Sequence, residues 1–335
     1  MRTAWIPGVM IMCALATMFM EDDASAQRSV PMETYIYKTI ANPPPYEGTA
    51  EIEADVHAPK DGKRHPVLVY FHGGALIGGG RPDIKLKLDK FCEEEGYIFV
   101  SANYRLGPEI KVPGILEDVR DVLLWVREKG PELFGADPDS IVVCGSSAGG
   151  YLTLMAGTME PRPKALLSMW GYGDILGDWY TTPYPPYSER EVDKEAGYAE
   201  VYKQVVTEAS KRTPGAPIRG RKFYPYLRHE GLWTKELTGF DPETEREKIV
   251  PFCPEFNVTP DYPPTLFFHG EKDSDVPVEQ SIGMAAALKE KGVEHELVIV
   301  PGAGHTLGGA TPKQKAEVRD KACEFLRKHL GKAER

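Results

Sequence analysis

Ile141-Val142-Val143-Cys144-Gly145-Ser146-Ser147-Ala148-Gly149-Gly150 is the stretch on which the fold turns. Its first four residues are an apolar run of strand length. The residues from Ala148 to Gly157 are mostly small or apolar and suit a helix packed closely against its neighbours. Between them, Gly145-x-Ser147-x-Gly149 sets a serine on a sharp strand-to-helix turn. Such a turn strains the serine backbone, and glycine two residues to either side removes the Cβ atoms that would strike neighbouring elements. Ser146 is the alternative, but it has no glycine at −2. A helix opening at Ala148 aims unpaired N–H groups and its positive end at Ser147, so the Ala148 N–H is a candidate oxyanion donor.

The same strand–helix rhythm extends in both directions. Upstream, Thr34–Ile40 and Glu51–Ala58 alternate apolar and polar residues, predicting two antiparallel edge strands across Pro43-Pro44-Pro45. Val67–Phe71 is a continuous apolar run, as in a strand covered on both faces. Helical spacing over Ile84–Glu95, a strand at Tyr97–Val100 and an amphipathic helix over Gly114–Lys129 follow. Downstream come strand Ala165–Met169, strand Thr265–Phe268, helix Val278–Lys291, strand Leu297–Val300 and helix Pro312–Leu330. The alternation predicts an α/β fold: a mostly parallel sheet of about eight strands with helices on both faces. Residues 177–260 break the rhythm with prolines and aromatics, among them Trp179, Tyr180, Tyr187, Tyr224 and Trp233. That is too long for a connecting loop, so an inserted cap is expected there, shaping a cleft or adding scaffold.

Composition narrows the class. Hydrophobic residues are 41% of the 335 and charged residues 27%, which excludes a disordered chain or a polytopic membrane protein. A net charge of −10 without a long basic run argues against nucleic acid as a partner. Residues 1–26 read as a signal peptide: Arg2, an apolar stretch from Ala4 to Met20, and Ala24-Ser25-Ala26 before Gln27. With Pro7 and Gly8 inside, the stretch is short for a membrane anchor. The expectation is a secreted or periplasmic mature domain over 27–335, free of the membrane after cleavage. No zinc-type Cys/His spacing, HExxH or phosphate-cradling glycine loop occurs, so neither a metal nor a cofactor is expected.

Directly after Val67–Phe71 stands His72-Gly73-Gly74-Ala75. Glycines there can turn backbone N–H groups toward a reacting oxygen, which makes Gly73 and Gly74 candidate oxyanion donors. His72 reads as a loop-holding residue, with a second base as the alternative.

These motifs resemble the α/β-hydrolase superfamily, in particular serine esterases of the hormone-sensitive-lipase and carbohydrate-esterase branches. The resemblance rests on His72-Gly73-Gly74, Tyr104-Arg105-Leu106-Gly107-Pro108-Glu109, Glu117-Asp118-Val119 and Gly145-Ser146-Ser147-Ala148-Gly149-Gly150. His269-Gly270-Glu271-Lys272-Asp273-Ser274-Asp275-Val276-Pro277 and Pro301-Gly302-Ala303-Gly304-His305 are similar to the dienelactone-hydrolase and prolyl-oligopeptidase branches. It covers about 50–175 and 260–330 and leaves out the insert. Ala75 stands where the resemblance has a third glycine. The superfamily's chain order, serine then acid then histidine, implies Ser147 as nucleophile, Asp273 as acid with Asp275 as its competitor, and His305 as base. The implied activity is hydrolysis of small-molecule or carbohydrate-linked esters, with short acyl groups such as acetyl favoured by Ala75, or feruloyl esters. A peptidase or amidase of prolyl-oligopeptidase type and a silent binding module are the alternatives. The resemblance also puts the helices carrying Cys92 and Cys323 on one sheet face, where an exported protein would pair them in a disulfide.

Overall fold

The computed structural model describes residues 30–210 and 218–331. The expected signal peptide lies outside the described residues. Eight strands form one sheet: β1 (Glu33–Ala41), β2 (Thr49–His57), β3 (His65–Phe71), β4 (Ile98–Ala102), β5 (Ala136–Ser146), β6 (Ala165–Met169), β7 (Thr265–Gly270) and β8 (His295–Val300). Their order is β1-β2-β4-β3-β5-β6-β7-β8. Both pairings of β2, with β1 and with β4, are antiparallel, and every pairing from β4 to β8 is parallel. The eight-stranded, mostly parallel sheet is the architecture the alternation of strands and helices predicts.

The central strands explain their own composition. Val67, Val69 and Phe71 of β3 face one apolar layer, while Leu68 and Tyr70 face the other. Successive side chains point to opposite faces, so a strand covered on both sides must be apolar throughout. On the first face lie helices α2 (Val112–Glu128) and α3 (Ala148–Ala156). On the second lie α1 (Leu88–Glu95) and the C-terminal helix Pro312–Leu330.

Two elements differ from the spacing-based expectation. α1 starts at Leu88 rather than Ile84, because Leu86 and Lys87 take left-handed backbones (φ 56° and 51°) in a loop that the Tyr70 hydroxyl ties down through Asp83 and Lys85. β5 extends back to Ala136, since Ala136 still pairs with His65 of β3 across a register shift that precedes the apolar run.

Between β6 and β7 the chain leaves the sheet. Short helical turns at Asp178–Thr181, Pro185–Ser188 and Lys194–Tyr198 precede α4 (Phe223–Glu230) and α5 (Trp233–Thr238). This segment reaches back to the ends of the parallel strands through several hydrogen bonds, three of which bear on the loops described below. The Trp233 indole N–H donates to Ala75 O at 3.2 Å, Arg219 Nε donates to Ile77 O at 2.8 Å, and Arg228 Nη1 donates to Asp275 O at 3.0 Å. The sheet then resumes with β7, helix α6 (Glu279–Glu290), β8 and α7 (Pro312–Leu330).

The disulfide expectation is corrected. Cys92 of α1 and Cys323 of α7 do share one apolar layer, yet both are free buried thiols, as are Cys144 and Cys253. Burial pushes the Cys92 and Cys323 thiols up, which depletes the thiolate that oxidation requires.

Candidate active site

The turn after β5 holds Ser147 at φ 55°, ψ −119°, a backbone that L residues rarely adopt. What makes the turn possible is missing Cβ atoms. One added to Gly145 would lie 2.2 Å from Gly149 O, and one added to Gly149 would lie 2.0 Å from Phe71 O. Ser146 points elsewhere: its Oγ lies 3.0 Å from the Tyr70 hydroxyl in a fully buried contact. The serine at the turn is therefore Ser147, with the N-terminus of α3 beginning at the next residue.

His305, in the loop after β8, lies across from it. His305 Nε2 is 3.1 Å from Ser147 Oγ, and Nδ1 is 2.7 Å from Asp273 Oδ2. Since the carboxylate accepts from Nδ1–H, a neutral ring leaves Nε2 as the acceptor for the serine hydroxyl. The glycine-rich approach and two left-handed residues after the histidine, Thr306 and Leu307, fold this loop back over the sheet end. Asp273 Oδ1 accepts from the backbone N–H groups of Asp275 and Val276 at 2.9 and 3.0 Å. Burial would raise the Asp273 carboxyl, but the His305 charge and hydrogen bonds from His269 and His305 hold it well below the usual carboxylate range. His305 shows the opposite balance. Burial pulls the imidazole down, and the charges of Asp273 and Asp275 more than restore it, so it sits above its ordinary value.

Beside Ser147, the chain after β3 makes a tight loop. A Cβ on Gly73 would lie 3.3 Å from Ser147 Cβ, and Gly74 takes φ 116° with its carbonyl capped by Ile77 and Gly78 N–H groups. Among the described residues, none of the Gly73, Gly74 and Ala148 N–H groups is engaged by another protein acceptor outside regular helix or strand pairing. His72 is fully buried, with Nδ1 2.7 Å from Gly73 O and its ring stacked on Tyr104 at 4.4 Å. Burial lowers its pKa, and these contacts suit the loop-holding role.

Motif residues away from the reacting atoms are structural. Arg105 Nε and Nη2 clasp Asp118 at 2.8 Å each, and Arg219 of the insert pairs with Glu109. The structure thus brings Ser147, Asp273, His305, Gly73, Gly74 and Ala148 to one place at the C-terminal ends of the strands. It also places there two features that sequence reasoning missed. His269 lies under Asp273, its Nε2 3.4 Å from Asp273 Oδ2 and 2.9 Å from Val276 O, with Nδ1 2.7 Å from Ser281 Oγ. The position immediately before Gly270 in the acid-loop motif was its sequence signal. Tyr187, Tyr224 and Arg228 of the insert converge on Asp275, and no local pattern marks them because their partner lies 47 to 88 residues away.

Among the described residues no cluster of His, Cys, Asp or Glu is arranged to hold a metal ion, and no helix is long and apolar enough to cross a membrane.

Comparison with known proteins bears on the fold. A non-reducing polyketide synthase of Penicillium rubens is 29% identical over 334 aligned residues, covering 84% of this chain but 13% of the relative. The chain therefore spans about an eighth of that protein's length. Esterase LipC of Mycobacterium tuberculosis is 28% identical over 244 residues, covering 72% of this chain and 53% of the relative. Among solved structures, a Staphylococcus aureus protein of unknown function superposes with a TM-score of 0.66 at 19% identity, covering 89% of this chain and 99% of the other. An acetyl ester-xyloside bifunctional hydrolase from Caldicellulosiruptor lactoaceticus gives 0.60 at 21% identity, covering 88% and 96%. A family model described as the alpha/beta hydrolase fold matches residues 68–308, from β3 through the loop that carries His305. The chain belongs to the alpha/beta hydrolase fold family.

Proposed function

We propose that the protein is a serine carboxylesterase acting on short-acyl esters. The observation that carries the reading is His305 bridging Ser147 Oγ at 3.1 Å and Asp273 Oδ2 at 2.7 Å. Ser147 Oγ attacks the ester carbonyl while His305 Nε2 takes its proton. The carbonyl electron pair moves onto oxygen, where the Gly73, Gly74 and Ala148 N–H groups receive it. Collapse breaks the bond to the alcohol, which leaves with the proton from His305. Water then repeats the sequence on the acyl-enzyme and releases the acid. Asp273 holds the Nδ1–H tautomer and balances the imidazolium. A relative that is an esterase by name supports the reaction class.

On the acyl side, Ala75 supports a preference for small groups. Its backbone is left-handed (φ 55°) and its carbonyl is held by the Trp233 indole, so the residue is fixed in the chain directly after Gly73 and Gly74. On the alcohol side, the insert aromatics Trp179, Tyr180, Tyr187, Tyr224 and Trp233 are buried. They supply no stacking platform, so the carbohydrate-linked alcohol stands on the proposed export alone. Residues 177–260 act as a cap, supported by their contacts with Ala75, Ile77 and Asp275. Residues 1–26 act as an export signal, so the mature chain should begin at Gln27. The test is an acyl-chain series on chromogenic esters combined with a fluorophosphonate label. An adduct on the Ser147 peptide and highest kcat/KM at two to four carbons are expected. Labelling at another residue would overturn the nucleophile, and a preference for ten or more carbons would overturn the short-acyl assignment.

A further inference from the structure

Asp275 sits in the turn that carries Asp273, and its two carboxylate oxygens have different surroundings. Oδ1 accepts from the hydroxyls of Tyr187 and Tyr224 at 2.7 Å each and from Arg228 Nη1 at 3.1 Å. Arg228 has no solvent exposure. Its guanidinium lies 4.6 Å from the Tyr184 ring centre and 5.5 Å from that of Tyr224, with Trp179, Tyr180 and Tyr187 at intermediate distances. Its Nε and Nη2 have no hydrogen-bond partner and face this aromatic box, a setting that favours a cation. Every one of these side chains belongs to the insert. Oδ2 takes no hydrogen bond among the described residues and lies 3.4 Å from His305 Nε2.

We propose that Asp275 is a positioning residue for the base, a second carboxylate that the insert holds against His305 Nε2 to stabilise the imidazolium formed during the reaction. The proposal rests on reading His305 as the base. In the resting state Nε2 presents a lone pair to Ser147, and a carboxylate oxygen nearby gains nothing from it. Once the serine proton has moved to Nε2, the ring carries a charge and an N–H on that side. Oδ2 then forms an ion pair opposite the one Asp273 makes at Nδ1. The stabilisation is absent in the ground state and present in the charged state, the condition for lowering a barrier. The proton still goes to the departing alcohol. Three donors on Oδ1 draw negative charge away from Oδ2, and Asp275 neither gains nor loses a proton.

The groups facing His305 are Asp273 and Asp275 from the turn after β7 and Arg228 from α4. The hydroxyls of Tyr187 and Tyr224 donate to Asp275, the Tyr184 ring lies against Arg228, and His269 lies behind Asp273. The two carboxylates raise the imidazole and Arg228 lowers it, which agrees with the proposed pairing.

The test measures the rate of fluorophosphonate labelling of Ser147 against pH, a readout that needs no knowledge of the natural substrate. The full-length wild type is compared with Asp275→Asn and Tyr187→Phe. Asp275→Asn should lower the midpoint of the acid limb by roughly one pH unit, the scale expected for losing one nearby charge. Tyr187→Phe removes a donor from Oδ1, leaves more charge on Oδ2 and should move the midpoint the other way. Loosened packing alone would not give shifts of opposite sign. A wild-type midpoint in Asp275→Asn, or shifts of the same sign in both variants, overturns the proposal. Should Asp275→Asn fail to fold, an unchanged midpoint in Tyr187→Phe overturns it. Absence of Ser147 labelling in the wild type would instead remove the esterase reading, and this proposal with it.

Discussion

Ser147 is held in a backbone conformation that an L residue leaves when it can, and the neighbouring contacts keep it there: its N–H donates to Met169 O at 2.9 Å and its carbonyl accepts from Tyr151 N–H at 3.0 Å. The strain exposes Oγ to His305, so the proposed attack requires no prior rearrangement. Ser147→Ala, Asp273→Asn and His305→Ala should each lower kcat on a short-acyl ester by on the order of 10⁴–10⁶ while leaving the far-ultraviolet circular dichroism unchanged, because residues acting as a unit fail as a unit. The acid assignment is tested by contrast. Asp273 meets Nδ1 at 2.7 Å and Asp275 approaches Nε2 at 3.4 Å, so Asp273→Asn should be far more damaging than Asp275→Asn. The sign of the pH dependence follows from His305. The proposed base works only when neutral, and burial, which pulls its pKa down, is outweighed by the two carboxylates, so that pKa lies above that of an ordinary imidazole. The acid limb of kcat/KM should therefore have a midpoint above that of an ordinary imidazole, with activity lost as pH falls through it; stopped assays across pH 5 to 9 would check this.

At the scale of elements, the strand–turn–helix unit tolerates no added atoms. Gly149→Ala would drive a methyl group to 2.0 Å from Phe71 O, a backbone atom of the central strand that cannot move without disturbing both its neighbours. Such overpacking should destabilise the fold by about 3 kcal/mol or more, read as a lower urea midpoint at unchanged slope. The same crowding explains why this unit was so legible in the sequence. Gly145, Ser147 and Gly149 are required by one local turn, so the requirement is written at fixed spacing. The doubly buried strands were legible for a similar reason, since covering on two faces leaves an unbroken apolar run. The start of α1 was not, because helical periodicity in Ile84–Glu95 continues through a loop whose shape comes from Tyr70 on another element. Nor was the clamp on Asp275, where Tyr187, Tyr224 and Arg228 meet their partner only after the chain has crossed the insert. Tertiary contacts of that kind leave no periodic trace.

Across the whole molecule, two apolar layers sandwich the sheet, and the insert extends one of them. The second layer contains Cys92, Cys144 and Cys323 as buried thiols. Denaturation without reductant followed by iodoacetamide should therefore recover Cys92, Cys144, Cys253 and Cys323 as alkylated peptides, whereas the native protein should react at none of them within the same time. In the first layer, the insert aromatics join the core beneath it: Trp233 stacks on Tyr180 at 3.9 Å, Tyr180 on Trp179 at 3.6 Å, and Tyr172, which follows β6, meets all three edge-on. Trp233 is completely buried. Its truncation to alanine removes a large side chain from a packed interior, a change that typically costs about 3–5 kcal/mol. It also frees Ala75 O, whose indole partner ties the insert to the loop after β3. Trp233→Ala should thus lower the unfolding midpoint substantially and reduce kcat through a loosened loop. The ratio of kcat/KM between a sugar acetate and a simple alkyl acetate should stay the same, because the ring is not available to a substrate. Measuring both esters on the variant below its unfolding temperature separates the two roles, and a selective loss on the sugar ester would place Trp233 at the alcohol subsite instead of in the core.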